Sequence, residues 1–399
     1  MRVRVLLGLV AVSAACHHGP QMPVSAGVAG GNPTVLGFDT VRLAAAVAYV
    51  RAAAESGAFP GAVLAVGRHG RLALVAAVGH YGVDDKRPVE PQTMYDLASL
   101  TKVVGLTTAC MLLVDQGKLE LDAPVQRYVP AFQGRYKERV TVRHLLTHSS
   151  GLPAWRPLYR EADTRAAALA LVDTTPLDAA PGERFVYSDL GAMVLMQVVE
   201  ALTGEPLDRF LDANVFGPLG MTDTRFLPPP SWRRTIAPTE RDTTFRFRLL
   251  WGEVHDANAA RLDGVSGHAG LFSNALDLAR FATMLLNGGA WEDLQLIRSE
   301  TVAEFTTRQD LPRGSSRALG WDTPSEPRAA GSSAGTRLSP RSFGHTGFTG
   351  TSLWMDPDHD LFIILLTNRV NMPSATTAIR SVRPRVADLV MEALIAPEL

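Results

Sequence analysis

The chain has little lysine and less cysteine. Of its 399 residues only Lys86, Lys102, Lys118 and Lys137 are lysines, so 35 of the 39 basic residues are arginines. The two cysteines, Cys16 and Cys110, are too few for a disulfide framework. Cys110, in TTACMLLVD, reads as a small buried hydrophobe. A formal net charge of −1 offers no electrostatic footprint for nucleic acid or an acidic lipid surface. Beyond the N-terminus, no segment reads as long and apolar enough to span a membrane.

What is present begins with MRVRVLLGLVAVSAAC. Arg2 and Arg4 precede an apolar run from Val5 to Val12, and the small residues Ser13, Ala14 and Ala15 precede Cys16. This reads as a secretory signal peptide over 1–15. The small-small-Cys ending leaves both a lipid anchor at Cys16 and simple periplasmic release open, because lipoboxes usually carry an apolar residue where Ser13 stands. Residues 16–38 read as a Gly/Pro-rich linker. The whole chain is 46% hydrophobic, typical of a globular protein, and the remainder, 39–399, has length for a large core.

Along that remainder, Thr40–Ser56 reads as an amphipathic helix capped by Asp39. Ala62–Val66 and Leu72–Val78 read as two strands joined by a turn at His69-Gly70. A helical stretch opens near Ser99 and runs to about Asp115. LGAMVLMQVVEALTG is a helix stopped by Gly204, and another helix covers 275–289. The segment 323–341 reads as a flexible loop. Two further strands, GTSLWMD and LFIILLTNR, and a helix near Val382–Ile395 follow. Strands at both ends with helices between predict an α+β fold: an antiparallel sheet flanked by helices, with an inserted, mostly helical lobe. The α/β lobe would take about 39–110 and 260–399, and the helical lobe about 111–259.

Within LASLTKVV, Ser99 and Lys102 stand three residues apart and share a face of a helix. A serine hydroxyl needs a neighbouring base to become a nucleophile. Arginine cannot serve, because its guanidinium does not deprotonate in proteins, whereas a desolvated amine can. A chain that elsewhere uses arginine has kept an amine here. The bland alternative is a surface serine near a helix start and a snorkelling lysine.

Two later segments favour the first reading. FVYSDLG places Tyr187 and Asp189 just before a helix, and FGHTGFTGTSLWMDP places His345-Thr346-Gly347 before a strand. Ser-x-x-Lys, then Tyr-x-Asn, then Lys-Thr-Gly, in that order, is the pattern of class C serine β-lactamases and serine penicillin-binding proteins, and the chain resembles that family from about residue 39 to the end. LLTHSSGLP and GVSGHAGLFS also resemble family segments. The resemblance implies that Ser99 attacks an acyl carbon, that Lys102 and Tyr187 share the proton transfers, and that the N–H groups of Ser99 and Phe348 form an oxyanion hole. It implies that Thr346 and its strand, with Gly347, bind substrate. It implies no metal and no organic cofactor, a small-molecule or peptide substrate, and no nucleic-acid partner; a monomer is expected. The sequence departs from the pattern twice: Asp189 stands in place of Asn, with a helix N-cap as its other reading, and His345 stands in place of Lys. A neutral imidazole is a weaker partner for a carboxylate than an ammonium. Both departures predict poor β-lactam hydrolysis.

Three rivals carry less. Gly331 to Gly335 matches Gly-x-Ser-x-Gly, but in a polar loop with no strand before it or helix after it. His144 and His148, with His255 and Asp256, suggest zinc ligands, yet packing and capping explain the pair better. His268, between glycines, reads as site wall with no assigned role. The functional expectation is an exported serine hydrolase acting on an ester, peptide or amide. Its alternatives are a class C-type β-lactamase and a catalytically silent receptor for cell-wall fragments.

Overall fold

The computed structural model describes residues 27–325, 332–373 and 376–395. The expected signal peptide and Cys16 lie outside the described residues. Two strands near the start, β1 (Gly61–Arg68) and β2 (Arg71–Gly79), join three near the end, β3 (Phe343–Thr346), β4 (Ser352–Asp356) and β5 (Leu361–Thr367). They form one antiparallel sheet in the order β3-β4-β5-β1-β2. The closing pair sets Ala62 opposite Thr367 and Val66 opposite Ile363, across some three hundred residues of chain. The β1–β2 turn has His69 and Gly70 both at positive φ, 53° and 66°, the type I′ geometry that matches strand twist.

Side-chain alternation along β1 sorts the two faces. Leu64 and Val66 pack with Ile363 and Leu365 against α1 (Thr40–Glu55) and α5 (Ile379–Glu392). Val63 and Ala65, with Ile364 and Leu366, face the larger core containing α4 (Ala275–Leu286) and the helical region. Both faces are covered, which is why β5 reads LFIILLT, buried at every position and apolar up to Thr367.

Some expectations require correction. Part of the stretch read as linker belongs to the fold. Ala29 and Gly31 pair with Leu72 on the open edge of β2, and Leu36 and Phe38 are buried under α1 and α5. Covering that edge removes a row of free backbone groups. The 323–341 loop falls partly, at 326–331, outside the described residues. Its later part is tied down: Ala334 and Leu338 are core, and the Thr336 and Arg337 N–H groups donate to Asp388. Finally, Ala98–Asp115 does have the length and hydropathy of a membrane span, but 83% of that window is buried inside the protein. It is the central core segment, and Cys110 within it is buried with its thiol pKa pushed up by burial.

Candidate active site

That central segment is not one regular helix. A 3₁₀ turn at Ala98–Leu100 passes into a π-helical stretch, Lys102–Thr107, and then α2 (Thr108–Asp115). The Thr108 hydroxyl donates to the Val103 carbonyl five residues back, 2.9 Å away, within the widened turn. Such π-turns recur at functional sites. Ala98 is left-handed, φ 46°, a strained conformation for a residue with a Cβ. Its neighbours fix it there. Asp96 accepts from the Ala98 N–H at 2.8 Å and the His255 N–H at 2.6 Å. The Thr349 and Thr351 hydroxyls donate to the Asp96 and Leu97 carbonyls. Ser99 is thus presented on a braced corner, with its N–H in a first turn where helical donors have no partner within the helix.

Lys102 is 3% exposed. Its Nζ lies 3.0 Å from Ser99 Oγ, 3.0 Å from the His268 carbonyl and 2.8 Å from Asp189 Oδ1. Burial alone would lower its pKa. The Asp189 carboxylate and the Tyr187 phenol outweigh burial and hold it above an ordinary lysine. Asp189 is the first residue of α3 (Asp189–Thr203), and the capping residue is Ser188, whose hydroxyl accepts from the Gly191 N–H at 3.1 Å. The N-cap reading of Asp189 is therefore corrected: with Ser188 capping the helix, the carboxylate is free to pair with Lys102.

Tyr187 fills the space between these groups and β3. Lys102 Nζ sits 4.9 Å from its ring centre and the Arg317 guanidinium 5.5 Å. His148 and His345 flank the same ring at 4.6 and 5.8 Å. Its hydroxyl is buried beside the Lys102 ammonium, whose pKa it helps to raise. His148 Nδ1 accepts from the Ser188 N–H at 3.1 Å, tying the segment carrying Tyr187 in place. Burial first, then Arg317 and Lys102, push the pKa of both imidazoles well below the usual histidine value. His345 is therefore neutral; its Nδ1 lies 2.8 Å from the Thr346 carbonyl.

Gly347 is required by close approach. A Cβ there would stand 2.1 Å from Thr351 Oγ1 and 2.3 Å from the Leu97 carbonyl oxygen. That contact brings the Gly347–Phe348 segment beside the corner that carries Ser99. Ser99, Tyr187, His345, Thr346, Gly347 and Phe348 all line one cavity of about 380 Å³.

A β-lactamase family model, described as "Beta-lactamase", matches residues 46–386. The chain belongs to the β-lactamase family. A "Putative D-alanyl-D-alanine carboxypeptidase" of Escherichia coli is 37% identical over 317 residues, 71% of this chain and 70% of that protein. A protein of the same description from Salmonella typhi is 33% identical over 387 residues, 86% of each chain. Among solved structures, a penicillin-binding protein homologue from Caulobacter crescentus has a TM-score of 0.71 at 21% identity, covering 88% of this chain and 98% of its own. EstCE1, described as a hydrolase with promiscuous acyltransferase activity, has 0.70 at 24%, covering 88% and 99%. Family membership makes the protein a serine hydrolase of the β-lactamase and penicillin-binding-protein fold, with an antiparallel sheet flanked by helices.

Within that family frame the rival readings resolve geometrically. His144 Nδ1 lies 3.1 Å from the Thr141 N–H in a capping box, so the His144–His148 pair has both Nδ1 atoms engaged at separate places. Ser333 lies in a turn, and no helix follows it before β3. His268 is buried, its ring 2.7 Å from Ser266 and 2.9 Å from Asp256, and it meets the site only through its carbonyl. His255 stacks on Phe348 at 5.5 Å and braces the loop carrying it. The site residues that the sequence reading passed over are Arg317, Arg369, Arg380 and Arg383, and His148 was weighed there only as a zinc ligand or a packing residue. No motif marks the arginines, and arginine is too common in this chain for one to stand out.

Proposed function

We propose that the protein is an exported acyl-enzyme hydrolase that cleaves peptides ending in D-alanyl-D-alanine. The observation that carries the acyl-enzyme part is Lys102 Nζ held 3.0 Å from Ser99 Oγ by Asp189 and the His268 carbonyl. The substrate class follows the description of the relatives, and export follows residues 1–16; periplasmic release and a lipid anchor at Cys16 are its two forms. Ser99 Oγ attacks the carbonyl carbon of the penultimate residue. Asp189 keeps Lys102 an ammonium, so Tyr187 takes the Ser99 proton and the nearby cation stabilises its phenolate. The N–H groups of Ser99 and Phe348 receive the developing oxyanion. Tyr187 then protonates the leaving amine, and later takes a proton from the water that releases the acyl group. Thr346 and the β3 edge hold the extended substrate.

The test is a hydrolysis panel of a D-Ala-D-Ala peptide, a p-nitrophenyl ester and nitrocefin, with a fluorophosphonate probe. Ser99→Ala is expected to lose labelling and turnover of all three. Ester hydrolysis surviving in Ser99→Ala with label on Ser333 refutes the assignment, and a wild type that cleaves the ester but no D-Ala-D-Ala peptide refutes the substrate class.

A further inference from the structure

The formal net charge of −1 averages over an uneven chain. Between Arg225 and Glu253 six arginines stand against three carboxylates. Arg246 is paired with Asp242, Arg248 with Glu253, and Glu240 with His255, while Arg241 reaches Asp84 at 3.8 Å. Arg233 and Arg234 are exposed, and neither makes an ion pair among the described residues. The same stretch puts two large apolar side chains into water, with Leu227 53% and Phe247 74% exposed.

Neither apolar side chain is loosely held. Leu227 and Phe247 are both left-handed, at φ 49° and 53°, a conformation rare for bulky residues. Phe247 lies in the loop between Glu240–Arg241 and Leu249–Leu250, which pair antiparallel. Inside that loop the Asp242 carboxylate accepts from the Thr244, Phe245 and Arg246 N–H groups at 2.8, 3.0 and 3.0 Å. The Arg246 guanidinium ties the loop back to the Val254 and His255 carbonyls, each at 2.6 Å. Leu227 rests on Gly264, where a Cβ would come within 2.4 Å of it. The surrounding bonds thus hold both side chains outward despite backbone strain, a pattern that clusters at functional positions.

The two apolar tips and the free cations belong to one face. Leu227, Pro228, Phe245, Arg246, Arg248 and Gly252 border a groove of about 340 Å³. Phe247 stands between two of those arginines, and the Arg233 stem lies against Gly252, 3.5 Å from where a Cβ would be. Asp263 is the exposed carboxylate on the groove, since Glu253 is paired with Arg248. A soluble polyanion would engage the arginines and leave Leu227 and Phe247 in water. An anionic bilayer surface uses both: its phosphates meet arginines at headgroup level, and its acyl boundary takes apolar side chains without needing a shaped pocket.

We propose that this face docks the protein on an anionic phospholipid bilayer, with Leu227 and Phe247 inserted below the headgroups and Arg233 and Arg234 on the phosphates. Two side chains and two charges give a weak, reversible contact, which sets orientation more than residence. The contact is joined to the reaction cavity. Arg246 donates to the His255 carbonyl, and the His255 ring stacks on Phe348 at 5.5 Å, so the docked loop and one wall of that cavity move as a unit. Docking therefore fixes how the cavity faces the membrane, whichever acyl donor Ser99 attacks.

The test uses the full chain with vesicles of mixed phosphatidylglycerol and phosphatidylcholine, or of phosphatidylcholine alone. The apolar run near the N-terminus is a second route onto lipid, so the readout is local: backbone amide exchange over 226–234 and 243–249, followed by mass spectrometry. Anionic vesicles are expected to slow exchange in both segments by about threefold or more, and neutral vesicles to leave it unchanged. Leu227→Ser/Phe247→Ser and, separately, Arg233→Glu/Arg234→Glu are each expected to lose most of that protection while keeping the wild-type circular dichroism spectrum. Exchange unaltered by anionic vesicles in the wild type overturns the proposal. So does equal slowing by neutral vesicles, or protection that both folded double variants keep. Equal slowing by soluble polyphosphate overturns the bilayer in favour of a polyanion.

Discussion

Asp189→Asn isolates what one oxygen-for-nitrogen exchange does to both chemistry and substrate choice. The pair it alters is close, with Lys102 Nζ 2.8 Å from Asp189 Oδ1 and side chains 4% and 21% exposed. At that separation the attraction is about 6 kcal/mol with an effective dielectric of ~20 and about 1.5 kcal/mol at the dielectric of water. The partly exposed carboxylate falls between these bounds. Its loss removes the largest influence raising the Lys102 pKa, while the burial that lowers it remains. The ammonium then loses its proton at lower pH, so the alkaline limb of the ester rate profile is expected to move down. The second effect is on substrates with an amide carbonyl at this position. A carboxylate cannot donate to that carbonyl; an Asn amide can. An unpaired acceptor costs roughly 1–3 kcal/mol, equivalent to about five- to 150-fold. Nitrocefin acylation, slow in wild type, is expected to rise by that order in Asp189→Asn, measured by stopped-flow absorbance with the p-nitrophenyl ester as control. An unchanged nitrocefin rate together with an unmoved alkaline limb would refute this account of Asp189 in both its parts.

Two further outcomes follow from the same geometry. Lys102→Arg is expected to be almost as inactive as Lys102→Ala, each losing on the order of 10²-fold or more in kcat on the ester, because a planar guanidinium cannot set one nitrogen within 3.0 Å of Ser99, Asp189 and the His268 carbonyl together; a Lys102→Arg enzyme within a few-fold of wild type would show that any cation suffices there. Thermal unfolding should depend on pH through His148 and His345, whose folded pKa values are depressed, chiefly by burial. Below about pH 6.5 the unfolded chain binds protons that the folded one refuses, so stability present at pH 7.5 is lost as pH falls, by up to about 1.4 kcal/mol per pH unit for each ring. Calorimetry from pH 7.5 to 5 checks this, and a His148→Gln slope equal to wild type contradicts it.

How far the sequence exposed this site depended on distance along the chain. Ser99 and Lys102 were legible because a helix turn joins them, and β1 and β2 because alternation and a turn mark a hairpin. The pairing of β1 with β5 has no local sign; only the existence of unpartnered strands at both ends implied it. The competition between Ser188 and Asp189 for the helix cap was hidden for another reason. Both residue types cap helices well, and only the position of Lys102 decides which one does. The arginines beside the site were the least legible, since Arg317 comes from a loop and Arg380 and Arg383 from α5, brought beside β3 by the packing of the sheet. Val28, Leu36 and Phe38, by contrast, were visible apolar residues within the stretch read as linker, outweighed by the glycines and prolines around them.

The scarcity of lysine that pointed to Lys102 has a second beneficiary. Lys86 and Lys118 are exposed, but Lys137 is 1% exposed, with Nζ on the Asp173 carbonyl and 4.4 Å from the Phe132 ring centre. Half of the lysines are therefore buried, and rarity alone marks buried amines, not catalytic ones. An ammonium is compact and can release its proton when desolvated, which a guanidinium cannot. Lys137 illustrates this, its pKa pushed down to about 8 by burial with only partial relief from Asp173. Lys102 is shifted the opposite way because a carboxylate meets it. What separates the two is the company each keeps: a backbone carbonyl and an aromatic face around Lys137, against a serine hydroxyl, a carboxylate and a buried phenol around Lys102. The surroundings of the amine identify the reacting centre.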